Sequence, residues 1–245
     1  MNGQFKGGFP PLCDASRIAK MRQGERVMKV NIFSMGLMAG LTAVLASTTT
    51  LASVISTGTT AASFVVYQAP ASGDVIVITQ SDTRNQATVT QNADSSAITI
   101  VQNGSGNTFQ VIQAGMQNAS GMKQAGNGNG ARLGQNGTAL SATVMQDGGG
   151  NSLRADQSGF NQLLIASQTG LGNTLLVNQS GNSNQISASQ NGNNQSAWLA
   201  QSSSNNLIIA SQVGSTNQLS VNQVSNNNVA FVSQNGRGNV AHIRQ

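Results

Sequence analysis

The chain has 245 residues, of which 8% are charged and 4% aromatic, with 28 glycines, one histidine and one cysteine. A zinc site, a thiolate site or a catalytic triad lacks its constituents in such a chain, and neither an enzyme nor a cofactor is expected. The net charge of +5 suggests a nucleic-acid or membrane partner, but Lys6, Arg17, Lys20, Arg22, Arg26 and Lys29 against Asp14 and Glu25 place +4 of it before residue 30.

Residues 1–27 read as a start-site extension, with Met21 and Met28 as alternative starts. Residues 28–52 read as a secretory signal peptide. Arg26 and Lys29 supply the basic region, Ile32 to Ala46 is apolar, and the small residues Ser47 to Ser53 follow; cleavage fits after Ala46 or Ala52. A transmembrane anchor is the alternative, but the run is short and holds Ser34, Gly36, Gly40 and Thr42. Cys13 lies ahead of the signal, so the mature chain is expected to have no thiol.

Residues 53–73 read as a linker or lead-in segment. Within it Phe64 to Gln68 has the alternation of a strand, with Phe64 and Val66 inward and Gln68 at the ladder position. The step from Gln68 to Gln80 is twelve residues, and Pro70 sits between them, so strand and linker are both open readings.

From residue 74 one unit repeats. Gln80, Gln91, Gln102, Gln113, Gln124, Gln135, Gln146, Gln157, Gln168, Gln179, Gln190, Gln201, Gln212, Gln223, Gln234 and Gln245 are each eleven residues apart, without a slip. Two residues after most of them comes Gly, as in Gly104, Gly170 and Gly214. Five after comes Asn: Asn85, Asn107, Asn173, Asn184, Asn217, Asn228 and Asn239 among others. Seven and nine after come apolar residues, such as Ile98 and Ile100, Phe109 and Val111, Leu175 and Val177, or Leu219 and Val221. Leu164, Ile186, Ile208, Val232 and Ile243 hold the same positions. The unit is Q-x-G-x-x-N-x-h-x-h-x, and a fixed short period is the mark of a repeat architecture.

Asn, apolar, apolar and Gln fall on alternate positions, which is one face of a strand. Each unit is a strand of about seven residues and a turn of about four, where Gly allows positive φ. The expected fold is all-β: a β-solenoid of about eight 22-residue coils, two strands per coil from 11-residue half-repeats, with two facing parallel sheets. It would be roughly 38 Å tall at the usual strand spacing. Buried amides are costly unless paired. Stacking lets each Gln or Asn bond to its counterpart one coil away, as in cross-β ladders. Like charges could not stack this way.

The Q-x-G-x-x-N-x-h-x-h-x unit, with glutamines eleven apart, closely resembles the curlin repeat of bacterial curli subunits, over residues 74–245. The resemblance implies a secreted, extracellular subunit that polymerises as functional amyloid in the biofilm matrix and mediates adhesion and aggregation. It implies like subunits, a nucleating or major curlin paralogue, and an outer-membrane curli export pore with accessory proteins as partners. The Gly- and Asn-rich targeting stretch common in curlin subunits is missing here. Ser203 and Ser225 replace the turn Gly, and Leu140, Gln162 and Gln195 replace Asn, so those units should be less regular.

Alternate units lie on opposite sheets, so the outward faces differ. One presents Leu163, Ile165, Leu207, Ile209, Val229 and Phe231, a candidate lateral contact face. The other is mostly polar, with Arg132, Arg154 and Asp156, and with Leu176 and Trp198 as exceptions. Between them, Ala119 to Gly134 is rich in Gly and has Ser120 and Ala131 where larger apolar residues belong, so it is expected to order last.

No motif for metal or nucleotide chemistry stands out. Asp74, Asp82, Asp94, Asp147 and Asp156 fall in different registers, unlike a calcium-binding β-roll. His242 projects outward on the last strand. The expected function is head-to-tail polymerisation into cross-β fibres through the inward ladders, with no specific nucleic acid and no metal. The alternatives are a minor subunit that nucleates fibres at the cell surface and a capped, monomeric solenoid that binds a surface. The latter needs a regular Thr array, and Thr88, Thr90, Thr99, Thr108, Thr143 and Thr174 are scattered.

Overall fold

The computed structural model describes residues 42–46, 54–55, 63–68 and 73–245, and among these the regular elements are all strands. In chain order they are β1 Thr42–Ala46, β2 Val54–Ile55, β3 Ser63–Gln68, β4 Val75–Gln80, β5 Gln86–Asp94, β6 Ala97–Asn103, β7 Thr108–Met116, β8 Ala119–Asn127, β9 Gly130–Thr138 and β10 Ser141–Gly149. They continue as β11 Ser152–Phe160, β12 Leu163–Leu171, β13 Thr174–Asn182, β14 Gln185–Asn193, β15 Ser196–Gln201, β16 Leu207–Ser215, β17 Gln218–Gln223, β18 Val229–Arg237 and β19 Val240–Arg244. Odd strands form one parallel sheet of ten and even strands a second of nine.

From β4 onward the chain winds through about eight coils of 22 residues. Gln146 aligns with Gln168, and Gln157 with Gln179, so every coil lays a residue on its equivalent one period later. This is what the eleven-residue unit demands. An odd period with alternating side chains keeps the same residues inward only if each unit turns back across a core, and two such turns restore the first sheet.

The core between the sheets is thin. Each strand contributes two inward residues, such as Ile98 and Ile100, Leu164 and Ala166, or Leu175 and Val177, all essentially inaccessible. Ser120 and Ala131 are buried as well, and β8 and β9 keep their full nine residues around them. Val232 and Ile243, expected in the core, are only partly buried. They lie on β18 and β19, which no coil covers among the described residues.

Strands also precede residue 74. β3 takes the strand reading of Phe64 to Gln68: Phe64 and Val66 are buried and Gln68 aligns with Gln91. That pairing spans 23 residues instead of 22, and the extra residue falls between Gln68 and Gln80. β2 and β3 thus occupy part of the segment expected as a linker. β1 pairs with β3 and lies inside the stretch read as a signal peptide. The start-site extension and the beginning of that signal lie outside the described residues.

Most turns have two left-handed positions; those after Gln91 and Gln223 have only the second. The first, two residues after Gln, is the repeated Gly, with φ +113 at both Gly170 and Gly214. The second comes two residues later and accepts Ser95, Gln117, Ala139, Asn161 or Thr216 at φ 53–57. Where Ser203 and Ser225 replace the first Gly, β15 and β17 stop at the Gln after six residues, against nine in most units. The irregularity expected there is present. The units with Leu140 and Gln162 keep their register and length, β10 and β12 running nine residues in step with their neighbours, while Gln195 precedes the six-residue β15.

Candidate functional site: polar ladders and an open end

Each ladder Gln is the last inward residue of its strand, where the chain is about to cross to the other sheet. On the even sheet, Gln102 Nε2 donates to Gln124 Oε1 at 2.9 Å, and the bond repeats from Gln124 to Gln146, Gln146 to Gln168, Gln168 to Gln190, Gln190 to Gln212 and Gln212 to Gln234 at 2.7–2.9 Å. The odd sheet carries the same chain, including Gln113 to Gln135, Gln179 to Gln201 and Gln223 to Gln245. Gln80 and Gln91 donate into these ladders at 2.6 and 3.4 Å.

The second N–H of each amide crosses the corner. Gln168 Nε2 reaches the Ser152 carbonyl at 3.0 Å, and Gln190 Nε2 the Thr174 carbonyl at 3.0 Å. Both are the first residues of strands on the opposite sheet. A glutamine therefore satisfies three needs at once: it accepts from one coil, donates to the next, and ties the two sheets together. Glu could not donate either bond, and Lys could not accept.

Asparagine does something else. Stacked amide-to-amide bonds were expected for Asn85, Asn107, Asn173, Asn184 and Asn217, but these side chains bond the backbone. Asn173 Nδ2 donates to the Thr169 carbonyl at 3.1 Å and to the Gly192 carbonyl at 2.8 Å, while its Oδ1 accepts the Gln195 N–H at 3.0 Å. Asn107 makes the equivalent three bonds. Asn151 adds one amide-to-amide bond, to Asn129 at 3.1 Å. The physical reason is position. Asn opens its strand right after the turn, where main-chain carbonyls point inward from the same turn and from the next. A side chain one methylene shorter than Gln reaches those first. Asn is a turn clip, and the ladders are glutamine ladders.

The replacements test that role. Gln162 and Gln195 still donate to both carbonyls, at 2.6–3.1 Å, but the Oε1 of each is buried without a partner. Asp74, first in the column, keeps the acceptor half: its Oδ1 takes the Ser96 N–H at 2.9 Å.

All the glutamine bonds point the same way, from the N-terminal coil to the C-terminal one. The last members are therefore donors with nothing to donate to along the stack. Gln234 and Gln245 retain their cross-corner bonds to Gln218 and Val229. Among the described residues no strand pairs with the outer edge of β18 or β19. Asn228, Asn239 and Gln245 are correspondingly more exposed than their equivalents inside the stack. On the N-terminal side, under β2 and β3, the Oε1 atoms of Gln80 and Gln91 are buried acceptors without a partner.

The outer faces fall as the sequence pattern suggests. The even sheet exposes Ile165, Ile209, Val229 and Phe231, the last at 70%, with Leu163 and Leu207 half-buried among them. The odd sheet carries Arg132, whose Nη1 donates to Gln110 at 3.2 Å, and an Arg154–Asp156 ion pair at 2.9 Å, beside a shallow groove of about 380 Å³ floored by Gly134. Among the described residues no three His, Cys, Asp or Glu side chains come together as metal ligands would. No family model matches the chain, and no curated protein is significantly similar to it. The likeness to curlin repeats rests on the unit itself.

Proposed function

We propose that the chain is a secreted structural subunit that stacks end to end into extracellular cross-β fibres, curli-like in kind, which hold cells together in a matrix. What supports this reading most is the outer edge of β18 and β19, which no strand covers among the described residues. There β18 and β19 leave a row of backbone donors and acceptors, two glutamine donors and the half-exposed Val232 and Ile243 without a covering coil. An open edge of this kind is a template for another chain. The one-way glutamine ladders add a direction: the donor edge of one copy can bond acceptors of another and not another donor edge. The resemblance to curlin repeats adds export through the outer membrane and a nucleating paralogue to this reading.

The test uses the purified chain after removal of the signal segment, held in dilute buffer. The expected result is fibres with reflections near about 4.7 Å and 10 Å, whose growth is seeded by sonicated fragments. A folded, β-rich monomer that persists at high concentration would overturn it.

A further inference from the structure

We infer that the even-sheet face is a self-complementary docking surface for a second copy of this chain, laid face to face with its stack running the opposite way. The pairing uses the outer face, not the ends, and a single stack already has the whole surface.

Two observations point to a partner. Parallel sheets are normally covered on both faces, yet this one is covered only on its inner side. The three outward columns that precede the ladder Gln carry a single charge from β4 to β18, Lys123, with Asp147 and Arg237 lying past the Gln toward the turn, whereas the same columns of the odd sheet present Arg132, Arg154, Asp156 and Arg244. A face whose only charge in these columns is Lys123 can meet its own copy with little repulsion.

The order of side-chain sizes selects the register. Along the middle column, the outward residues from β8 to β18 are Gly121, Thr143, Ile165, Ser187, Ile209 and Phe231. Place a two-fold axis along the strands, between β12 and β14. Then β18 faces the partner's β8, β16 its β10, and β14 its β12. Phe231, the most exposed apolar side chain, lies over Gly121, where an added Cβ would meet nothing within 4 Å. Ile209 lies over Thr143, and Ile165 over Ser187. The flanking column repeats the match: Val229 meets Ala119, Leu207 meets Ser141, and Leu163 meets Gln185. Every large residue faces a smaller or more flexible one, as interdigitating sheets require.

Other arrangements lack this. Shifting by one strand puts Ile209 on Ile165 and Ser187 on Ser187. Keeping the stacks parallel sets Phe231 on Phe231. The two Lys123 residues lie five strands apart in the favoured register, about 24 Å, beyond a Debye length of about 8 Å. Six strands of about five outward-spanning residues give a footprint of about 500 Å² per copy, so the total reaches the roughly 1,000 Å² of a specific interface.

The test is a size swap. The readout is the number of chains per stack length, taken as mass per length if the stacks have joined into filaments and as molar mass if they have not. This separates loss of lateral pairing from loss of end-to-end growth. Wild-type stacks are expected to hold two chains, G121F stacks one, and preassembled G121F mixed with preassembled F231G two again. In that mixture each Phe meets a Gly at both two-fold sites. Ser187→Phe with Ile165→Gly is a second, independent arm for the case that G121F does not fold. Single-chain wild-type stacks, a folded G121F that stays paired, or mixtures that stay single in both arms would overturn the inference.

Discussion

Gly214 turns directly beneath Gly236: a Cβ on Gly214 would lie 2.0 Å from the Gly236 carbonyl oxygen. The same closeness recurs up the stack, with 2.0 Å between the equivalent point on Gly170 and the Gly192 carbonyl oxygen. Two demands meet at this atom. The backbone has φ +113, which L side chains avoid, and the next coil leaves no room. Gly170→Ala is expected to cost at least about 1–3 kcal/mol from backbone strain alone, read as a lower denaturation midpoint. Gly128, at the second left-handed position with φ +68 and open space around its Cα, should accept Asn with little change.

The glutamine ladder makes a different prediction. Gln168 is fully buried, accepts from Gln146 and donates to Gln190 and Ser152. Gln168→Leu keeps most of the volume but strands three polar groups. At about 1–3 kcal/mol for each buried group left unpaired, it should be among the most damaging single substitutions. Gln168→Glu adds a pH dependence. Burial disfavours the carboxylate, which raises the folded-state pKa above the ordinary value of about 4.3. A raised folded pKa means the variant is most stable below about 4.3 and loses stability as pH rises through the folded value. Urea midpoints at acidic and neutral pH check the sign; a Glu variant that is more stable at neutral pH would remove the ladder from the account of stability.

The sheets, coil length and inward residues were legible because the repeat has no slip between Gln80 and Gln245. A strict period turns one strand assignment into sixteen. The turn's second left-handed position was not legible. At φ near 55° it tolerates Gln117, Ala139 and Thr216, so no residue type marks it. Asparagine's role was hidden for a related reason. Period two places Asn85 and Gln91 on the same face, but only the path of the turn decides whether a side chain meets its own copy or a main-chain carbonyl. At the N-terminal end, β3 broke the spacing by one residue. The residues of β1 are apolar and small, a composition that suits a signal peptide and a covered strand equally.

The Arg154–Asp156 pair should matter little. Both side chains are about half exposed, at 56% and 40%, although the contact is only 2.9 Å. Exposed pairs contribute about 0.2–1 kcal/mol. Arg132 and Arg154 occupy neighbouring rungs, so Asp156→Asn leaves two like charges adjacent. The expected loss is under about 1 kcal/mol. It should be larger at low salt and shrink as salt screens the two guanidiniums. Denaturation midpoints at two ionic strengths would show it.

The last prediction concerns growth. Val232 and Ile243 are core residues in every respect except that, among the described residues, no coil covers them. In a lone subunit their outer sides touch water, so Val232→Lys with Ile243→Lys should leave the other coils folded: the long side chains can bend toward solvent and keep their charges wet. At a junction between two copies the same ammonium groups would be sealed between strands about 4.8 Å apart, where an unpaired charge is prohibitive. Fibre formation by the double variant should therefore be abolished while its circular dichroism stays that of the wild-type monomer. The ends are not equivalent, so the effect should be one-sided. Wild-type seeds whose C-terminal ends are capped by the variant should stop growing there, and their N-terminal ends should still accept wild-type chains. Fibre lengths at the two ends, distinguished by differently labelled seed and monomer, measure this directly. Equal growth at both ends of capped seeds would mean that the uncovered face of β18 and β19 is not where chains join.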